Sequence, residues 1–106
     1  MRVAQAIGLP AENREAYIRY HAEVWPGVLK QITDSRIRNY SIYVLGETLF
    51  SYFEYDGDDY EADMAAMALD PETQRWWDTV KPLQRPFADR PEGAWWIDLE
   101  EVFHLD

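Results

Sequence analysis

The sequence predicts an α+β fold, a ferredoxin-like sandwich in which helices cover one face of an antiparallel sheet. Three observations carry that prediction. Ile37 to Leu45 and Thr48 to Tyr55 are rich in β-branched and aromatic residues, and Gly46-Glu47 joins them as a tight hairpin. Apolar residues recur at helical spacing on both sides of the hairpin, and β-like stretches open and close the chain. The resulting order β, α, β, β, α, β is that of the ferredoxin-like sandwich. At 106 residues the chain has the length of one domain, and residues 1–106 are read as one.

Arg2 to Leu9 lacks acidic residues and alternates Val3, Gln5, Ile7 and Leu9 with Ala4, Ala6 and Gly8, which predicts a strand with a closely packed small-residue side. Pro10 ends it. A first helix is expected from about 12 to 24, with Glu12 and Glu15 near its start, where the helix dipole favours negative charge. Pro26-Gly27 breaks that helix; Val28, Leu29 and Ile32 carry a second helical segment that Asp34-Ser35 closes as a turn. After the hairpin, Asp56-Gly57-Asp58-Asp59 reads as a solvated turn, because the bidentate glutamate of a calcium loop is missing. Met64, Ala65, Met67, Ala68 and Leu69 form a helical apolar set. Asp70-Pro71 then opens a further helix, with Asp70 as cap and Pro71 in the first turn. Three prolines punctuate an irregular loop from about 82 to 94, and Trp95 to Leu105 reads as a closing strand. Helices on one face leave the other face of the sheet needing cover, so a homodimer, a dimeric α/β-barrel type assembly, is the economical expectation.

Composition excludes several function classes. Twenty acidic against ten basic side chains give a formal net charge of −10, which repels phosphate backbones and anionic lipid, so neither nucleic acid nor membrane is an expected partner. The absence of cysteine removes disulfides and thiolate metal sites and suits a cytosolic chain. No apolar run approaches the roughly 20 residues of a membrane span, and the N-terminus does not read as a signal peptide. Aromatic residues make up 15% of the chain, including five tryptophans, more than a small core needs and suited to a pocket or an interface.

The chemistry concentrates in Tyr17 to Pro26, where Tyr17, His21 and Trp25 recur every four residues, a spacing that aligns side chains on one helix face. Such a stripe alone is more often ordinary packing than a site. His21 is the natural general acid/base, since an imidazole titrates near neutral pH. His104, near the end of the last strand, is read as structural, with no second histidine or paired carboxylate to make a metal site. Trp76 and Trp77 stand about 100° apart on a helix, so both cannot face the core. Tyr40 and Tyr43 lie on opposite faces of a strand, so only one can share a pocket with the helical stripe, and period alone leaves open which. Phosphate-binding glycine loops, the nucleophile elbow, zinc-protease motifs and dinucleotide fingerprints are all missing. What remains is a cofactor-free aromatic site around one histidine, suited to the C–H faces of a sugar ring.

Four motifs in order then resemble the L-rhamnose mutarotase family over nearly the whole chain: Y-x-x-x-H-x-x-V-W-P at Tyr17 to Pro26, N-Y-S-I-Y at Asn39 to Tyr43, Q-R-W-W at Gln74 to Trp77 and L-E-E-V-F-H-L at Leu99 to Leu105. The resemblance implies a dimer that interconverts the α and β anomers of L-rhamnose without a cofactor. It also implies His21 as proton donor and Tyr17, Tyr40, Trp76 and Trp77 as sugar-binding residues. Gly27 stands where the resemblance leads one to expect an acidic residue, and Trp95-Trp96 has no counterpart in it. The rival classes are a cofactor-free monooxygenase on a similar dimeric scaffold and a non-catalytic small-sugar-binding module.

Overall fold

The computed structural model describes residues 1–106 as a four-stranded antiparallel sheet with four α-helices. In chain order these are β1 (Arg2–Gly8), α1 (Arg14–Ala22), α2 (Pro26–Asp34), β2 (Ile37–Leu45), β3 (Thr48–Tyr55), α3 (Tyr60–Ala68), α4 (Pro71–Val80) and β4 (Ile97–Asp98). The spatial order β2-β3-β1-β4 places the hairpin on one side and both chain-end strands on the other, the ferredoxin-like arrangement. Gly46 has φ 58° at the first central position of the hairpin turn, where a primed turn requires glycine.

Alternation along the strands divides inside from outside. Val3 pairs with Phe53 and Ile7 with Leu49, and these four point at the helices. Ile7, Leu9 and Leu49 pack with Tyr17, Val28, Trp76 and Val80; a second cluster of Val3, Ile37 and Phe53 meets Tyr60, Met64 and Met67 of α3. The opposite face carries Tyr43, Leu45, Phe50 and Tyr52, and no helix covers it: Tyr43 is 63% and Leu45 75% exposed.

One irregularity decides which β2 residues face inward. Asn39 adopts φ 50°, and between Arg38 and Ser41 the strand carries one residue more than its partner, a β-bulge. Counting by two from Ile37 would put Tyr43 inside. The bulge shifts the alternation, so Tyr40 and Ile42 face the helices and Tyr43 faces outward. Asparagine tolerates the left-handed region, and Asn39 Nδ2 donates to Glu54 Oε1 at 2.8 Å, holding the bulge.

Three sequence expectations need correction. The first helix does not run from 12 to 24: Ala11–Asn13 is a 3₁₀ turn and α1 ends at Ala22. Pro26 bars helical geometry from the residue before it, and Trp25 (φ −61°, ψ 136°) caps α2. Trp25 therefore does not share the helix of Tyr17 and His21. The closing strand is only Ile97–Asp98, paired with Ala6 and Gln5. Leu99 to Asp106 runs on without secondary structure, and His104 lies on this exposed arm, its Nε2 2.7 Å from Asp106 Oδ1. The alternation that suggested a strand is real, but backbone pairing with β1 stops at Leu99, whose N–H donates to the Ala4 carbonyl at 2.8 Å, and only the Arg2–Glu101 ion pair ties the next residues to β1.

Candidate active site

The space between sheet and helices forms an open cavity of about 790 Å³. His21, Trp76, Trp77, Trp95 and Trp96 line one part of it, and Tyr40, Phe53, Tyr60, Met64 and Met67 another. Residues of both packed clusters line the cavity, Val28 and Trp76 from one and Ile37 and Phe53 from the other.

His21 owes its position to α1. Its Nδ1 lies 2.8 Å from the carbonyl oxygen of Tyr17, one turn back. A carbonyl can only accept, so Nδ1 carries the proton in the neutral ring and Nε2 is the nitrogen left for chemistry. Burial holds the His21 pKa below its ordinary value, with the Tyr17 carbonyl opposing, so the ring is neutral at pH 7 and able to accept a proton first. The Tyr17 ring stacks on the imidazole at 4.1 Å, as the four-residue spacing predicts. Tyr17 itself is 3% exposed and stands behind the imidazole instead of on the cavity wall. Burial pushes its pKa well above the usual tyrosine value, so it remains a neutral phenol.

α4 supplies the tryptophans. Asp70 caps the helix, accepting from Thr73 N at 2.9 Å, with Pro71 in the first turn as expected. Trp76 is buried and meets the rings of His21 and Trp25 edge-on, each at 5.1 Å. Trp77 is half-buried on the cavity wall, with Lys81 Nζ 4.7 Å from its ring centre. Both indoles line the cavity, and the 100° step between adjacent residues buries Trp76 in the core while leaving Trp77 half-buried. Trp25 joins the cluster although it lies outside α1.

β2 supplies Tyr40, through the Asn39 bulge. The residue is 42% exposed, yet enough protein surrounds its hydroxyl for burial to push the pKa up to about 12, with Tyr60 adding to the shift. His21, Tyr40, Trp76 and Trp77 therefore share one cavity. The structure adds residues that sequence reasoning did not single out: Trp95 and Gln84 beside Tyr17, and Phe53 and Tyr60 beside Tyr40. The aromatic excess was the signal for Trp95, Phe53 and Tyr60, and no sequence signal marked Gln84; the positions of all four depend on tertiary packing. No three histidine or acidic side chains come together to hold a metal ion. Glu72 places its carboxylate in the space that a side chain at position 27 would take, so α4 delivers an acid to the spot where the sequence resemblance led one to expect it at Gly27.

An acid/base nitrogen, phenols and indole faces around one cavity can bind a small amphipathic ring and move a proton on it. Comparison with known proteins agrees with that chemistry. Residues 2–105 match the family model described as L-rhamnose mutarotase. A protein of that name from Opitutus terrae is 36% identical over 111 residues, covering 100% of this chain and 99% of its own, and one from Bacillus subtilis is 33% identical, covering 99% and 98%. The crystal structure of an L-rhamnose mutarotase from Formosa agariphila superposes with TM-score 0.78 at 26% identity over 100% of this chain and 99% of that one. Tetracenomycin F2 cyclase from Streptomyces glaucescens, at 14% identity and TM-score 0.73 over 100% and 99%, shares the fold. With its full length matched in sequence and architecture, this chain belongs to the L-rhamnose mutarotase family.

Proposed function

We propose that this chain, working as one domain, interconverts the α and β anomers of L-rhamnose, with His21 moving the proton, Tyr40, Trp76 and Trp77 binding the sugar, and Tyr17, which the sequence resemblance implied as a sugar-binding residue, supporting the site from behind the imidazole. The observation that carries the reading is His21 itself: a neutral imidazole with its Nδ1 proton committed to the Tyr17 carbonyl, set on the wall of an aromatic cavity. Nε2 takes the proton of the anomeric hydroxyl. As the C1–O5 bond breaks, its electron pair goes to the ring oxygen, which receives that proton back from the His21 imidazolium, and C1 becomes a carbonyl. Rotation about C1–C2 and the reverse steps close the ring on its other face. Trp77 offers an indole face to the C–H side of the ring, and Tyr40 offers a neutral hydroxyl as hydrogen-bond donor. Tyr17 serves the site from behind, as the platform under His21.

The chemical demand is modest. Mutarotation proceeds unaided in water, so one positioned acid/base, worth about 10²–10⁴-fold, can carry much of the acceleration. We further propose a homodimer formed through the open sheet face, with Tyr43, Leu45 and Phe50 in the interface, and a cytoplasmic site of action. The substrate is a small neutral sugar; nucleic acid and membrane are poor partners for a chain of net charge −10. No helix is long and apolar enough to cross a membrane. The names of the relatives favour neither the monooxygenase nor the binding module. Saturation-transfer NMR on a panel of 6-deoxy and parent sugars tests the reading. Catalysed exchange between the two C1 signals of L-rhamnose is expected, and binding without added exchange would indicate the non-catalytic module.

A further inference from the structure

Gln84 lies in the stretch that the sequence marks only as an irregular loop, yet its side-chain amide links Trp95 on the cavity wall to Tyr17 behind the imidazole. The Trp95 indole nitrogen can only donate, and it gives its proton to Gln84 Oε1 at 2.7 Å. That contact orients the amide: Nε2 faces Tyr17 and donates to its hydroxyl at 3.1 Å. The neighbouring backbone is pinned too. Gly8 N donates to the Arg85 carbonyl at 2.9 Å and Arg85 N to the Gly8 carbonyl at 2.8 Å. A Cβ on Gly8 would stand 2.5 Å from the Arg85 oxygen, so this approach of backbones needs glycine. Asn13 Nδ2 also holds the Leu83 carbonyl at 3.0 Å. The residues on either side of Gln84 are therefore tied to β1 and to the 3₁₀ turn that leads into α1 before its side chain makes any bond.

We propose that Gln84 is a positioning residue: its two hydrogen bonds fix the Tyr17 ring, and with it the stacked His21 imidazole, relative to the cavity wall that Trp95 forms. Trp95, which the family resemblance left without a counterpart, thereby gains a role as the donor that sets the amide's orientation. The kinetic consequence rests on the mutarotase reading; the structural one does not. The groups against the imidazole are uncharged, the Tyr17 ring and carbonyl from its own helix and the Trp76 edge from α4, so its titration reports how tightly they enclose it.

Gln84→Met keeps the side chain's length and loses both bonds, and Trp95→Phe keeps an aromatic ring and loses one. In Gln84→Met we expect the His21 ring to titrate closer to its ordinary pKa by NMR than in the wild type, and the Trp95 indole proton to exchange faster with deuterium. The kcat for anomer exchange should fall about 3- to 10-fold, the worth of one or two net hydrogen bonds, with KM for L-rhamnose changed by less than about twofold. Trp95→Phe should lower kcat in the same direction, and the double variant should be no worse than Gln84→Met, because both act through one chain of bonds. A Gln84→Met protein with the wild-type His21 titration and kcat overturns the proposal, as does an additive loss in the double variant. If the wild type shows no anomer exchange, the mutarotase reading fails, while the His21 titration and indole exchange still decide the role of Gln84.

Discussion

In the proposed reaction His21 can act as a base because the Tyr17 carbonyl occupies one ring nitrogen and burial keeps the other unprotonated near neutral pH. The sign of the pH dependence follows. A depressed pKa means that activity falls as pH falls through it, so the acid limb of kcat/KM should have its inflection below 6.5, with a plateau at neutral pH. Protonation also favours the unfolded chain in the window between that depressed value and 6.5, so stability contributed by neutral His21 is lost as pH drops there. An inflection above 6.5 in initial-rate profiles would contradict the assignment. The two adjacent tryptophans should separate as their burial does. Trp76→Ala empties part of the core and should cost about 3–5 kcal/mol in denaturant titrations. Trp77→Ala should leave the fold intact and raise KM by about 3- to 10-fold, the worth of one aromatic face. The sequence made this division legible, because a 100° step cannot hide two indoles in one core, but which indole goes inward depends on how α4 sits against Ile7 and Leu49.

At the scale of elements, the hairpin and the four helices were readable because each carries its own signal: Gly46 at a turn that requires positive φ, Asp70-Pro71 at a helix start, Pro26 at a helix boundary. The Asn39 bulge was not readable from periodicity, since one extra residue reverses every later side chain, and it alone brings Tyr40 rather than Tyr43 to the site. Asn39→Val places a β-branched side chain in the left-handed region, which should cost about 1–2 kcal/mol. It should also weaken sugar binding by displacing Tyr40, whereas Asn39→Gly should be tolerated. Calorimetric unfolding together with KM for both variants checks this, and equal behaviour of valine and glycine would remove the bulge from the account. The closing strand was misjudged for a different reason. Alternating apolar residues show which side chains want burial, not which backbone will pair with them, and Val102, Phe103 and Leu105 remain exposed on the arm.

For the whole molecule, the open sheet face leaves Tyr43 and Leu45 exposed, and the arm leaves Val102, Phe103 and Leu105 exposed, apolar surface of the kind that a partner covers. A second copy packed on Tyr43 and Leu45 would cover it. Light scattering at micromolar concentration should give a dimer mass for the wild type and a smaller mass for Leu45→Lys, which places a charge on that face; a monomeric wild type would contradict the assembly. The proposed site lies on the other side of the sheet, in a cavity lined by residues of this one chain, so its chemistry can be tested directly. The decisive measurement is anomer exchange of L-rhamnose by NMR for the wild type, His21→Ala and His104→Ala, with circular dichroism confirming that each is folded. The account predicts exchange well above the uncatalysed rate for the wild type, a loss of about 10²–10⁴-fold for His21→Ala, and little change for His104→Ala on its exposed arm. A folded His21→Ala protein that exchanges anomers at the wild-type rate would contradict it.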